Sequence, residues 1–105
     1  MIQFEKGIFF IRVYDTNGGY LEKMKGIIFQ YDGILFGADF RNKKWVVTEL
    51  STGMRIDNTP IKSKNGIEEY MKKRIDRIKE ISKMEFVEVR RREFRELAER
   101  GKNND

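Results

Sequence analysis

The segment "GIIFQYDGILFGADFRNKKWVVTEL", residues 26–50, decides the fold of this chain. It holds three apolar stretches rich in β-branched and aromatic residues, a composition that favours strands. Asp32-Gly33 separates the first two stretches, and "RNKK" separates the second from the third. Asp-Gly accepts the positive φ angles that a two-residue hairpin requires. Strands joined by such short turns pair antiparallel, so the segment predicts the centre of an antiparallel meander.

The same pattern extends in both directions along the chain. Upstream, "GIFFIRVYD" and "YLEKMKGIIFQY" flank a turn at Asn17-Gly18, and downstream "STG" leads into "MRI". Four turn signals between five apolar segments predict a meander of about five strands. Gly26 and Gly37 lie inside strand patterns, and we interpret them as bends that let the sheet curl around a helix. Close approach of a ligand or partner stays open as the alternative.

The hydrophobic period changes from two to that of a helix after Asn65. This change predicts one long amphipathic helix, with Asn65 as its N-cap, whose apolar stripe covers one face of the sheet. The stripe consists of Ile67, Met71, Ile75, Ile78 and Ile81 or Ser82, with Tyr70 beside it.

The end of the chain predicts a second, shorter helix. Residues 84–89 are ambiguous, because Phe86, Val87 and Val89 fit either a helix or an edge strand. "RRREFRELAERG", residues 90–101, predicts a short basic helix that stops at Gly101. The predicted fold class is therefore α+β: an antiparallel meander of about five strands, then one long amphipathic helix and a short basic C-terminal helix. Residues 1–101 form a single domain, and 102–105 form a frayed tail.

The charge of the chain is unevenly distributed. The net charge is +5, although 37% of the residues are charged. Residues 1–57 hold eight basic and seven acidic side chains, whereas residues 58–105 hold fourteen and ten. We therefore expect attraction to an acidic partner to come mainly from the C-terminal half.

Arginines of the last helix have acidic neighbours four residues away. Pairing of Arg92 with Glu96, Arg95 with Glu99 and Glu96 with Arg100 would leave Arg90 and Arg91 free. The candidate binding residues, as cations that meet an acidic surface or a phosphate backbone, are Arg74, Arg77, Lys83, Arg90 and Arg91.

Catalytic residue types are scarce in this sequence. Histidine and cysteine are absent, which excludes His-assisted nucleophiles and zinc sites built on either residue. Neither glycine-rich phosphate-binding fingerprint occurs. We predict no enzyme, no catalytic residue, no cofactor and no metal. A metal-dependent nuclease is the weakest alternative. It rests on carboxylates at or near strand ends, namely Asp15, Asp32, Asp39, Glu49 and Asp57. Substitution of Asp39 or Glu49 by alanine would test it.

Membrane association is not expected from the sequence. The longest apolar run is "IFFI", residues 8–11, far shorter than the roughly 20 residues that span a bilayer. No signal-peptide pattern is visible at the N-terminus. We predict a cytoplasmic protein without a membrane partner.

Two stretches resemble small accessory proteins of bacterial phages and mobile elements. They are "KKWVVTELSTGMRI", residues 43–56, and "KNGIEEYMKKRIDRIKE", residues 64–80. The shared pattern is a Trp-bearing strand, a Thr-Gly turn and a return strand before an amphipathic helix. The resemblance implies a small non-enzymatic protein that binds and disables a host system, as anti-CRISPR and other anti-defence inhibitors do. No functional residue is carried over from it.

The leading hypothesis is thus a phage or mobile-element binding protein that inhibits a host defence or nucleic-acid-processing complex by stoichiometric contact in the bacterial cytoplasm. Direct nucleic-acid binding through the basic C-terminal half is the first alternative. A sponge for a nucleotide signal molecule, with a pocket between protomers, is the second, and a homo-oligomer stays open. Strand aromatics are expected in the core; any that remain exposed would mark a partner-binding or oligomer interface.

Overall fold

A computed structural model describes residues 2–103, with side chains to residue 100. One sheet of five antiparallel strands in sequential order precedes two helices, which confirms the α+β meander. The elements are β1 (Glu5–Val13), β2 (Tyr20–Tyr31), β3 (Ile34–Arg41), β4 (Lys44–Glu49), β5 (Met54–Arg55), α1 (Gly66–Ser82) and α2 (Glu85–Asn103).

The turns follow the residues that predicted them. Asp32 and Gly33 have φ angles of 52° and 84°, and Asn42 and Lys43 have 52° and 63°. Positive φ at both central residues is the type I′ geometry, whose twist matches that of the flanking strands. In the β1–β2 turn, Asp15 Oδ1 accepts hydrogen bonds from two backbone N–H groups, those of Asn17 and Gly19.

The two glycines inside the strands lie where other parts of the sheet approach closely. A Cβ atom on Gly37 would lie 2.8 Å from the ring of Phe9, and one on Gly26 would lie 2.1 Å from the carbonyl oxygen of Ala38. The backbone N–H of Arg12 donates to the Gly53 carbonyl at 2.7 Å, which brings the end of β1 to the turn before β5. At both glycines the absence of a Cβ atom therefore allows a close approach within the sheet.

The two faces of the sheet are buried in different ways. The helix face carries Ile27, Phe29, Phe36, Ala38 and Val47, which form one core with Ile67, Tyr70 and Met71 of α1. The inner face lies inside the curl, and its buried side chains come from the strands themselves: Phe9, Ile11, Asp39, Val46 and Thr48.

Asn65 occupies the N-cap position of α1, as predicted, but its side chain does not cap the helix. Asn65 has helical φ and ψ and forms no side-chain cap hydrogen bond. Instead, Ser63 Oγ accepts a hydrogen bond from the Gly66 N–H at 3.2 Å. Because the turn at residues 63–66 already points the Ser63 hydroxyl at the helix start, it takes the role expected of Asn65.

The C-terminal helix differs from the prediction in length and composition. It begins at Glu85, so residues 85–89 are helical and the edge-strand alternative is wrong; Lys83 and Met84 form the turn that precedes it. Its backbone continues past Gly101 to Asn103, so Gly101 does not end it. With 19 residues it is longer than α1 with 17, and its five glutamates nearly balance its five arginines and one lysine. Residues 104 and 105 of the predicted frayed tail lie outside the described residues.

Substitution of either strand glycine tests the curl. We expect Gly26→Ala to lower the free energy of unfolding by about 3 kcal/mol and Gly37→Ala by about 2 kcal/mol, because each new methyl group overlaps a neighbour. Gly66→Ala, whose Cβ would meet its nearest side-chain atoms at 3.3 and 3.5 Å, is the control and should change it by less than about 1 kcal/mol. Urea denaturation measures all three; equal effects at the three glycines would contradict the close packing.

Candidate binding surfaces

Helix α1 divides the helix face of the sheet into three parts. Along β3, the residues on this face are Ile34, Phe36, Ala38 and Phe40. Phe36 and Ala38 are fully buried in the core with α1, whereas Ile34 lines a cleft and Phe40 is exposed. The neighbouring strand β4 repeats this order, with Glu49 at the cleft, Val47 in the core and Trp45 beside Phe40.

The exposed part beyond α1 is a basic and apolar surface, which we call the sheet patch. Ile8, Phe10 and Phe40 are 50%, 46% and 57% exposed. The rings of Phe40 and Trp45 lie 5.5 Å apart, centre to centre. The ladder between β2 and β3 ends at Ile27–Ala38, and a shallow concavity lies beside this end, lined by Ile8, Lys25, Phe40 and Trp45 among others. The sheet patch consists of Lys6, Ile8, Phe10, Lys23, Lys25, Phe40 and Trp45.

Charges in β1 and β2 are sorted by the alternation of the strands. Lys6, Lys23 and Lys25 lie on the helix face, where they are exposed, and Glu5 and Glu22 lie on the inner face. None of the three lysines forms an ion pair among the described residues. The nearly equal numbers of basic and acidic residues in the first half of the sequence therefore concealed a locally cationic surface. Period-two separation of Lys from Glu is the signal that could have revealed it.

The part of the helix face below the C-terminal half of α1 is an apolar cleft of about 230 Å³. It lies between both helices and the strands β3 to β5. Ile78 and Ile81 of the predicted stripe are only partly buried there and form one wall. The cleft is lined by Ile34, Glu49, Thr52, Met54, Arg55, Ile56, Ile78, Ile81, Ser82, Phe86, Val87, Arg90 and Arg91.

Arg74 of the predicted binding set is engaged within the fold. Its Nε donates to Asp57 Oδ2 at 2.7 Å, and its guanidinium lies 3.9 Å from the centre of the Tyr70 ring. The Tyr70 hydroxyl also donates to Asp57, at 2.7 Å. Burial acts to raise the pKa of Asp57, but hydrogen bonds from Arg74, Tyr70 and Thr59 outweigh it and lower the pKa to about 2. The three groups fasten the loop before α1 to the helix.

Arg90 and Arg91 are not free, so that expectation is wrong. Arg90 pairs with Glu93 at 3.1 Å, and Arg91 pairs with Glu88 and donates to Ser51 Oγ. The expectation rested on pairs four residues apart, whereas these contacts span three residues or reach the sheet. Both arginines line the cleft.

The other two predicted binding residues, Arg77 and Lys83, are exposed in α1 and at its C-cap. They line neither the cleft nor the sheet patch. The structure thus brings two of the five predicted residues, Arg90 and Arg91, to one site.

The carboxylates considered for a metal site have other partners. Asp39 is 2% exposed on the inner face, and its Oδ2 lies 2.7 Å from Arg41 Nε; burial raises the pKa of this carboxyl despite that cation. Glu49 accepts hydrogen bonds from the backbone N–H groups and hydroxyls of Ser51 and Thr52. Among the described residues, no three or more acidic side chains are placed to hold a metal ion.

Comparisons with known proteins add no relative: no family model, curated protein or solved structure matches this chain. Within residues 2–103, neither helix has the length and apolar character needed to cross a membrane.

The low pKa of Asp57 predicts how its contribution to stability depends on pH. We expect Asp57→Asn to be less stable than the wild type by about 1 kcal/mol at pH 6, after allowance for solvent screening. Because the folded-state pKa is depressed from 3.8 to about 2, the stabilisation is complete above the unfolded value and is lost as the pH falls towards the folded one. Urea denaturation from pH 6 to pH 2 measures the difference, and a difference that stays constant to pH 2 would contradict the assignment.

Proposed function

We propose that this protein is a non-enzymatic binding protein that acts by stoichiometric contact, with the sheet patch as its contact surface. In the setting implied by its resemblance to phage and mobile-element proteins, the partner is a host defence or nucleic-acid-processing complex of the bacterial cytoplasm. One observation carries the proposal: three exposed apolar side chains and three exposed lysines share one face with no acidic residue among them.

Physical properties of the sheet patch favour a partner with a negatively charged and partly apolar surface. Exposed aromatic side chains bury a large area when they dock and are common at the centres of interfaces. Lysines at the edge of such a surface steer an acidic partner and raise the association rate. Because the patch belongs to paired strands, its side chains are held in a fixed arrangement before binding.

Single-stranded nucleic acid is the second candidate partner. Phe10, Phe40 and Trp45 offer ring faces on the same side of the sheet as Lys23 and Lys25. Aromatic platforms beside cations bind single strands by base stacking and phosphate contact. This candidate moves the nucleic-acid site from the basic C-terminal half, where the sequence analysis put it, to the sheet.

Charge reversal in the sheet patch tests the proposed contact surface. The double variant Lys23→Glu/Lys25→Glu should lose the partners that the immobilised wild-type protein captures from a nuclease-treated bacterial lysate, because an acidic partner would be repelled. Lys62→Glu/Lys72→Glu makes the same change of net charge at exposed lysines outside the patch and should retain them. Capture is measured by quantitative mass spectrometry. If the partners are the same for both variants, the sheet patch is not the contact surface.

Nucleic-acid binding makes different predictions. If the second candidate is right, a fluorescent 20-nucleotide DNA or RNA strand binds with log K falling by about 2 per unit of log salt concentration, since about three lysines contact phosphates. Phe40→Ala should weaken binding by about 1 kcal/mol or more through lost stacking and leave stability nearly unchanged. Fluorescence anisotropy between 50 and 300 mM salt measures both effects, and absence of binding at 50 mM salt removes this candidate.

Self-association is a further outcome that the same proteins can show. A second copy of the chain could cover the exposed apolar side chains, and sedimentation equilibrium of the wild type and Phe40→Ala would reveal it. A dimer that Phe40→Ala dissociates would contradict a free contact surface.

A further inference from the structure

The cleft combines an apolar interior with a cationic rim. Its walls are the side chains of Ile34, Met54, Ile56, Ile78, Ile81 and Val87. A volume of about 230 Å³ corresponds to about eight water molecules at ~30 Å³ each. Apolar walls give water few hydrogen-bond partners, and an unfilled space forfeits dispersion contacts. An apolar ligand body would restore those contacts.

The rim carries an excess of positive charge. Arg55, Arg90 and Arg91 line the cleft, and Glu49 is the acidic residue among the lining side chains. Both carboxylate oxygens of Glu49 already accept hydrogen bonds from Ser51 and Thr52. The Glu88 side chain that pairs with Arg91 is 63% exposed, and such surface pairs are weak enough to exchange for another carboxylate.

We propose that the cleft binds a small amphipathic monocarboxylate, with its apolar body between α1, α2 and the sheet and its carboxylate on Arg90 and Arg91. The neutral polar side chains on the walls are those of Thr52 and Ser82. A nucleobase would leave its polar edge facing isoleucine, which costs free energy, so the walls favour an aliphatic or aromatic body over a nucleotide. Phe86, 53% exposed at the cleft beside the two-residue α1–α2 connection, marks the entrance.

A chain-length series tests the apolar part of the site. Hexanoate, octanoate and decanoate, each below its micelle concentration, should shift the ¹³C-methyl signals of Ile78 and Ile81 in NMR spectra. The core methyl groups of Ile27 and Ile67 should not shift. Affinity should rise about fourfold per added methylene until the cleft is full, since each buried methylene contributes about 0.8 kcal/mol. Absence of binding, or shifts spread over the core, would overturn the proposal.

Charge variants test the carboxylate contact separately. Arg90→Gln/Arg91→Gln should weaken octanoate binding about tenfold or more and change the binding of octanol, the neutral analogue, less than twofold. Arg92→Gln/Arg95→Gln, at exposed positions of α2 outside the cleft, should leave both unchanged. Equal losses for octanoate and octanol, or equal losses in the two double variants, would overturn the carboxylate contact.

Occupation of the cleft by a side chain completes the test. Ser82→Phe should abolish binding of both ligands while circular dichroism reports an intact fold; if it unfolds the chain, Ile78→Phe provides the same block from the next turn of α1. Retained binding in a folded blocking variant would overturn the location. A nucleotide that shifts the Ile78 and Ile81 methyl groups more strongly than octanoate would overturn the ligand class. The sheet patch variants leave the cleft intact, so failure here is independent of the proposed function.

Discussion

The contact of the Phe9 ring with the backbone of Gly37 is the constraint on which this fold depends. Any side chain at position 37 would meet the ring at 2.8 Å, so the absence of a Cβ atom lets β1 close over β3. The inner face is then filled by side chains of the sheet itself, including Ile11 and Thr48. Since no second layer is needed inside the curl, both helices can pack on the helix face. A curled sheet of five strands can in this way bury the centre of both faces within about a hundred residues.

The sheet patch and the cleft exist because α1 covers only part of the helix face of the sheet. Ile67, Tyr70 and Met71 are buried in its first turns, and the loop before it is fastened by Asp57. Farther along, Ile78 still packs against the core and Lys79 pairs with Asp32. The end of α1 also meets α2, and α2 is itself fixed at the other end of the sheet. There Glu93 pairs with Arg12 at 2.7 Å, and the Phe94 ring packs where a Cβ of Gly53 would lie. The cleft is the space between these two attachments, and the sheet patch is the area that neither helix reaches.

The meander could be predicted from sequence because its signals are local. A turn such as Asp32-Gly33 fixes its own backbone angles, and strand order follows from short connections. The binding surfaces could not be predicted, since they depend on register and tertiary packing. Alternation along β2 separates Lys25 from Glu22, but only the pairing of β1 with β2 puts Ile8 opposite Lys25. Counting charges within α2 missed the contact of Arg91 with Ser51, a residue forty positions away. Val87 of α2 is buried at the cleft, and this burial in the tertiary structure is not specified by the local pattern of residues 85–89.

The carboxylates at the strand ends and the lysines of the sheet patch differ in their contacts within the fold. Every carboxylate that the sequence placed there has a structural partner: Asp15 and Glu49 hold turns, Asp32 pairs with Lys79, Asp39 with Arg41 and Asp57 with Arg74. A carboxylate held in this way would lose its partner before it could bind a metal ion or move a proton. The patch lysines, in contrast, have no ion-pair partner among the described residues and stand beside exposed rings. Binding of an anionic partner there would break no internal ion pair, so the main electrostatic cost of contact would be the loss of hydration of the lysines.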